Sequence, residues 1–345
     1  MKALVVTRTG GYEVLEVQER PDPPPPGPGE IRVAVRAAGV NFAELMARNG
    51  IYPDAPKLPA VLGYEAAGVV ESVGPEVDAY AVGDRVVAGS KFGAHAEMFV
   101  ARVDDSMPLP ERLSFEQGAA VAVNYATAWA AAVVMGGVRA GDTMLVHAAA
   151  GGVGIAATQV GVDAGATVIG TASAAKHDAV RAQGAAHVID YRSADVVAEV
   201  LRITDGRGVD VALDALGPTS FRKDYRILRP GGRLVMYGIS EIQTGEKRSL
   251  RRAVSGLART PFATMPFWKS AAMLNENKGI YGLNLLSWWE TEGNLRRLLE
   301  PVAERLQSGV FTPVVAESFP FSRAADAYRF LQEARNIGKV VLIPD

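Results

Sequence analysis

The residues with the most specific chemistry in this chain form a glycine-rich bend. Ala149-Ala150-Gly151-Gly152-Val153-Gly154 follows the apolar run Met144–Ala148 and leads into the Ala-rich stretch Ile155–Ala164. The spacing is that of the dinucleotide-binding turn G-x-G-x-x-G, with Ala at its first position. In such a turn Gly151 lets the backbone approach a pyrophosphate, and Gly154 lets the helix pack closely on the strand. With Gly152 and Val153, the helix start then offers free N–H groups and a positive dipole end to phosphate oxygens. A short glycine turn also serves simply to join a strand to a helix. Context favours the binding turn, because a strand precedes it, a helix follows and more strand–helix pairs lie downstream. Roughly twenty residues on, NAD-dependent proteins place an acid that holds the ribose 2′-hydroxyl. Here the stretch is Val168-Ile169-Gly170-Thr171-Ala172-Ser173-Ala174-Ala175-Lys176, with no carboxylate before Asp178. The missing acid removes a repulsion, while Ser173 supplies a hydrogen bond and Lys176 a charge for a 2′-phosphate. NADP(H) is therefore the expected cofactor. The alternative for Lys176 is a solvated side chain at a helix start.

Other chemistries are narrowed by what the chain lacks. It has no cysteine, so disulfides, catalytic thiols, thiolate-bound zinc and iron–sulfur clusters are excluded. His95 and His147 lie on different elements with no carboxylate at ligand spacing, so a structural role is expected for each and no metal site is assigned.

These residues need a scaffold, and its pattern is visible along the chain. The first part is β-rich: Met1–Thr7, Ile31–Ala38, Ala67–Val73 and Arg85–Ala88 are strand-like, with turn signals at Pro21–Gly29, Gly74-Pro75 and Gly83-Asp84. From about Leu113 helices alternate with short apolar strands at Thr143–His147, Thr167–Thr171, His187–Asp190, Val209–Ala215 and Arg233–Tyr237, with Gly279–Leu283 as a sixth. That alternation implies βαβ units and a parallel sheet. A helix at Asn294–Gln307, a strand near Thr312–Val315, a helix at Arg323–Ala334 and a strand at Lys339–Ile343 complete the chain. The expected fold is α/β, with a doubly wound Rossmann domain (123–287) inserted into a discontinuous β-rich domain (1–122 and 288–345).

Composition agrees with an enzyme of this kind. The 345 residues are 48% hydrophobic and 21% charged, with a formal net charge of −2, which gives no support for a nucleic-acid partner. Gly118–Val138 carries no charge and approaches the length of a membrane span, but it is Ala-dominated and interrupted by Asn124, Tyr125 and Thr127. A buried helix is the better reading. With no secretory signal at Met1–Val6, a cytoplasmic location is expected.

Several motifs together carry a family resemblance across nearly the whole chain. Ala38-Gly39-Val40-Asn41-Phe42-Ala43-Glu44-Leu45-Met46, Gly63-Tyr64-Glu65-Ala66-Ala67-Gly68, Gly83-Asp84-Arg85-Val86 and Ala148–Gly154 resemble the zinc-free quinone oxidoreductase branch of the medium-chain dehydrogenase/reductase superfamily. Gly170–His177 and Lys269–Gly282 are closer to its VAT-1 homologue group. The resemblance implies a GroES-like catalytic domain, a Rossmann domain with the cofactor in the cleft between them, and a homodimer formed through the edge strand 279–283. Zinc-dependent relatives place Cys where Asn41 sits and His where Tyr64 sits, and an amide and a phenol are poor substitutes as zinc ligands. Without a Lewis acid, hydride transfer to a conjugated acceptor is easier than alcohol oxidation.

By the same resemblance Asn41 lies near the nicotinamide, Thr127 hydrogen-bonds the cofactor, and Tyr191 sits beside the adenine or at the 2′-phosphate. Gly238 and Lys339 complete the cofactor contacts. Tyr52 matches a tyrosine proposed as proton donor in enoyl reductases, the alternative being a ring that closes the pocket mouth, and Tyr64 fills the former zinc space or touches substrate. The connection 241–272 is basic (Lys247, Arg248, Arg251, Arg252, Arg259) and then apolar (Phe262, Met265, Phe267, Trp268), which suits a lid, a dimer contact or a membrane surface. Three functions follow: NADPH-dependent reduction of a quinone or similar conjugated carbonyl first, enoyl or alkenal reduction second, and a VAT-1-like lipid-interacting protein with little turnover third.

Overall fold

Along Glu30–Val40 the side chains of Ile31, Val33 and Val35 are buried while their neighbours are partly open, the period-two pattern of a strand with one face on a core. This strand is the hub of the first of two units in the computed structural model, which describes residues 1–52, 54–242 and 270–345. The first unit contains Met1–Ala126 and Leu286–Asp345. Its larger sheet has seven strands, ordered Val315–Pro320, Lys339–Ile343, Glu30–Val40, Glu65–Val73, Arg85–Gly89 and Ser106–Pro108, with Met98–Arg102 also paired to Glu30–Val40. Lys339–Ile343 runs antiparallel to Glu30–Val40, opposing Val341 to Gly39, so the last strand completes the sheet begun by the third. A smaller three-stranded sheet joins Lys2–Val6 to Leu15–Glu19 and Ala60–Val61.

One expected strand is displaced. The chain near Thr312–Val315 is irregular, and the strand is Val315–Pro320, parallel to Lys339–Ile343. Pro313 has no N–H to give a ladder, and its carbonyl instead accepts from Gln117 Nε2. The strand ends on Pro320 at the sheet edge, where a missing donor costs little.

The second unit, 127–242 and 270–285 among the described residues, carries a six-stranded sheet. All its pairings are parallel, in the order His187–Asp190, Thr167–Ala172, Thr143–Val146, Val209–Asp214, Leu228–Met236, Gly279–Gly282. This is the 3-2-1-4-5-6 order of the doubly wound dinucleotide fold, whose direction reverses between the first and fourth strands. The core is a contiguous aliphatic cluster that includes Leu145, Ile169, Ile189, Val209 and Leu234. Gly279–Gly282 is an edge strand. The stretch that resembles a membrane span, Phe115–Met135, is largely buried within the protein. It is broken into Phe115–Gly118, Ala122–Trp129 and a π-helical segment, Ala130–Met135. Of the basic-then-apolar connection 241–272, residues 243–269 lie outside the described residues.

Candidate active site

In the first unit the candidate residues converge on a buried ammonium. Asn41 precedes the helix Phe42–Arg48, and its backbone N–H donates to Glu44 Oε2 at 2.8 Å, the reciprocal contact of a capping box. Lys339 Nζ donates to Asn41 Oδ1 at 2.6 Å, to Glu65 Oε1 and to Asn124 Oδ1 at 3.4 Å. Its three donors thus match three acceptors. Glu65 also accepts from Val123 N at 2.8 Å, while Asn41 Nδ2 donates to Glu44 and Glu65, each at 3.3 Å. Gly39 makes the arrangement possible: a Cβ there would lie 2.6 Å from Lys339 Cε and 2.7 Å from Glu65 Oε1. Burial pushes the Glu44 carboxyl up to about 8, against the pull of the Asn41 N–H and Lys339. His95 donates from Nε2 to Gly39 O at 3.0 Å, and burial pushes it down to about 4, so it stands as a neutral structural imidazole.

Tyr64 tilts against Phe92 with ring centroids 5.0 Å apart. Its hydroxyl is buried and lies against the phenol of Tyr52. Tyr52 packs with Phe92 onto the cluster of Val6, Val14, Ala47 and Leu62. Burial and then Asp54 raise its pKa, and the phenols of Tyr52 and Tyr64 lie close enough to act on each other's ionisation. Zinc chemistry does not fit this set. The Asn41 amide and the Tyr64 phenol are poor ligands for zinc, and the Lys339 ammonium already occupies Glu65.

The second unit holds the glycine bend. Ala148 is left-handed, with φ +50°, and Gly151 N closes the turn onto Ala148 O at 2.8 Å. The helix is Gly152–Asp163, earlier than the expected start at Ile155, so Gly152, Val153 and Gly154 form its first turn, whose N–H groups have no intrahelical acceptor. Gly151 faces open space apart from Ala148 O, 3.3 Å from a built Cβ, whereas a Cβ on Gly154 would strike Ala148 O at 2.2 Å and Ala149 Cα at 2.7 Å. A Cβ on Gly238 would meet Ala215 O at 2.8 Å. Thr127 is buried in the helix Ala122–Trp129.

Ala172 ends the second strand, and Ser173, Lys176 and exposed Tyr191 follow at the same corner. Arg192, which the sequence reading passed over although it adjoins Tyr191, completes the group. It lies 5.9 Å from the Tyr191 ring centre, and after burial it is the charge that lowers the Lys176 pKa. Asp190 lies opposite Ala172 in the sheet, but its oxygens accept from Arg192 N at 3.1 Å and Ser193 Oγ at 3.0 Å.

A correction concerns His147. No neighbouring carboxylate is expected from the spacing, yet Asp224 Oδ1 lies 2.9 Å from Nε2 and Asp214 belongs to the same cluster. The contact spans 77 residues and depends on the fold, so no local spacing announces it.

Comparison with known proteins follows these features. The family described as "Alcohol dehydrogenase GroES-like domain" matches residues 27–111, and that described as "Zinc-binding dehydrogenase" matches residues 183–342. The chain is 39% identical over 352 residues to the "Synaptic vesicle membrane protein VAT-1 homolog" of Rattus norvegicus, covering 100% of this chain and 84% of that protein. A quinone oxidoreductase of Escherichia coli complexed with NADPH superposes with a TM-score of 0.82 at 31% identity over 100% of both chains. An NAD-dependent alcohol dehydrogenase superposes with a TM-score of 0.83 at 32% identity, again over 100% of both.

Proposed function

Because this chain belongs to the medium-chain dehydrogenase/reductase superfamily, alongside the VAT-1 homologues, and is an oxidoreductase of that family, we propose that it is a zinc-independent, NADPH-dependent reductase whose acceptor is a quinone or similar conjugated carbonyl. The observation that carries this reading is the corner beyond Ala172. It offers Ser173, Lys176 and Arg192 where a carboxylate would select NAD, and the nearby Asp190 is engaged within its own turn. The N–H groups at 152–154 would hold the pyrophosphate, and Tyr191 would flank the adenosine end. Thr127 and Gly238 would serve the nicotinamide end. When bound, the cofactor supplies the hydride.

The residues of the first unit then have positioning tasks. Lys339 fixes the Asn41 carboxamide and the Glu65 carboxylate. Tyr52 remains protonated across the working pH range, its pKa being raised by burial, and so can donate a proton. The edge strand Gly279–Gly282 is the proposed contact of a homodimer, since an unpaired edge invites a partner strand.

The test is an oxidation assay with NADPH and NADH in parallel, using a quinone and an enoyl thioester as acceptors. Quinone turnover with NADPH preferred supports the reading, and turnover of the thioester alone moves the chain to the enoyl reductases. Replacing Lys176 and Arg192 with Met should raise KM for NADPH by about 10- to 100-fold, as loss of charge-assisted hydrogen bonds implies, and leave KM for NADH nearly unchanged. Equal use of both cofactors by the wild type overturns the assignment.

A further inference from the structure

A second polar cluster lies within the parallel-sheet unit, separate from every residue given a role above. His147 follows the first strand of that sheet, Asp214 ends the fourth, and Asp224 comes from the helix Pro218–Ile227. First and fourth strands are neighbours, so His147 and Asp214 sit at the carboxyl ends where the strand order reverses. One nitrogen of His147 and one oxygen of each aspartate all lie within 4.8 Å of one another. The three residues are 4%, 0% and 1% exposed.

Acidic groups outnumber basic ones in this cluster. Two carboxylates share a buried space with one imidazole, and among the described residues neither is ion-paired to Lys or Arg. A net negative charge so deeply buried is costly unless a cation or proton neutralises it. Asp224 Oδ2 is buried with no hydrogen-bond donor facing it among the described residues, and the Asp214 carboxyl lies against the same group. The surrounding groups are arranged as supports for ligands. His147 Nδ1 faces Thr171 Oγ1 at 3.1 Å and Nε2 faces Asp224 Oδ1 at 2.9 Å, so the ring is fixed at both nitrogens with Nε2 directed at the carboxylates. Leu216 N at 2.6 Å and Ser220 Oγ both donate to Asp214 and fix its plane.

We propose that His147, Asp214 and Asp224 form a binding site for one divalent transition-metal ion of the zinc type, with Nε2 and one oxygen from each carboxylate as ligands and a further position open. A four-coordinate ion with bonds near 2 Å separates its ligands by about 3.4 Å, a spacing this cluster reaches by widening the His147–Asp224 contact by about half an ångström. Imidazole with carboxylates suits zinc, cobalt or manganese better than calcium or magnesium. The ion would tie two strand ends to the helix and is distinct from any zinc at the Asn41 and Tyr64 positions.

The test uses the full chain, stripped with a chelator and titrated with Co²⁺. The expected result is one tightly bound ion per chain, with the intense visible absorption of four-coordinate cobalt, and binding at least about tenfold weaker in Asp224→Asn. Absence of binding by the wild type, or unchanged affinity in a folded Asp224→Asn, overturns the proposal. If that variant does not fold, X-ray absorption of the zinc-loaded wild type decides. One imidazole with oxygen donors supports the site; none, or more than one, overturns it. None of these readouts depends on the reductase assignment.

Discussion

Two candidate tyrosines, Tyr52 and Tyr64, stand in different surroundings. The Tyr64 ring is wedged against Phe92 and its hydroxyl is buried against the Tyr52 phenol. Tyr52 is only half-buried, on the chain that follows the helix Phe42–Arg48, and its raised pKa keeps it a donor rather than a base. The two proposed acceptor classes make different demands on such a donor. A quinone that accepts hydride becomes a hydroquinone anion, which takes its proton on oxygen from water. Saturating an enoyl double bond requires a proton delivered to carbon. Tyr52→Phe should therefore lower kcat on an enoyl acceptor by about 100-fold, the usual worth of a positioned general acid, and leave quinone turnover within a few-fold of wild type. Steady-state kinetics on both acceptors checks this, and an unchanged kcat on each would remove Tyr52 from the chemistry.

At the scale of elements, the glycine bend separates binding from folding. Gly151 meets almost nothing, whereas Gly154 has no room for a methyl group against Ala148 O. Gly151→Ala should keep the wild-type melting temperature yet weaken NADP(H) binding, because its Cβ projects toward the space a pyrophosphate needs. Gly154→Ala should lose about 1–3 kcal/mol of stability by overpacking, together with cofactor binding. Thermal melts paired with calorimetric titration of NADPH distinguish the two, and a Gly154→Ala protein as stable as wild type would refute the close-packing role. The strands around this bend are legible in the sequence because Val- and Ile-rich runs recur between helical stretches. Val315–Pro320 is less so, since Glu317, Ser318 and the flanking prolines hide a strand that only its parallel partner Lys339–Ile343 specifies. Side-chain clusters are harder still. Lys339 and Glu65 are 274 residues apart, and Asp224 is 77 from His147, so only the completed sheets bring them together. Asn41 and Lys339 stand out one by one through motif resemblance, while the hydrogen bond that joins them needs the fold.

For the molecule as a whole, the buried groups set how stability follows pH. Glu44 titrates near 4.5 when unfolded and at about 8 in the native protein, because burial favours its neutral form. Between those values the native state holds one proton more than the unfolded chain, so this group's contribution is full below about pH 4.5, declines as pH rises and levels off above 8. His95 works in the opposite sense. Its native value of about 4 lies below the unfolded 6.5, so it costs stability as pH falls through that interval and is silent above it. His95 is common to wild type and a Glu44 variant, so the difference between the proteins isolates Glu44. Wild type should lose melting temperature from pH 7 to pH 8 and then flatten as Glu44 ionises, and Glu44→Gln should show a shallower fall over the same unit. Gln keeps an oxygen to accept the Asn41 N–H, which preserves the helix start while removing the titration. Scanning calorimetry at half-unit steps supplies the comparison. Identical slopes in the two proteins would mean that Glu44 is already ionised in the native state at neutral pH, and that the cluster around Lys339 carries a second negative charge.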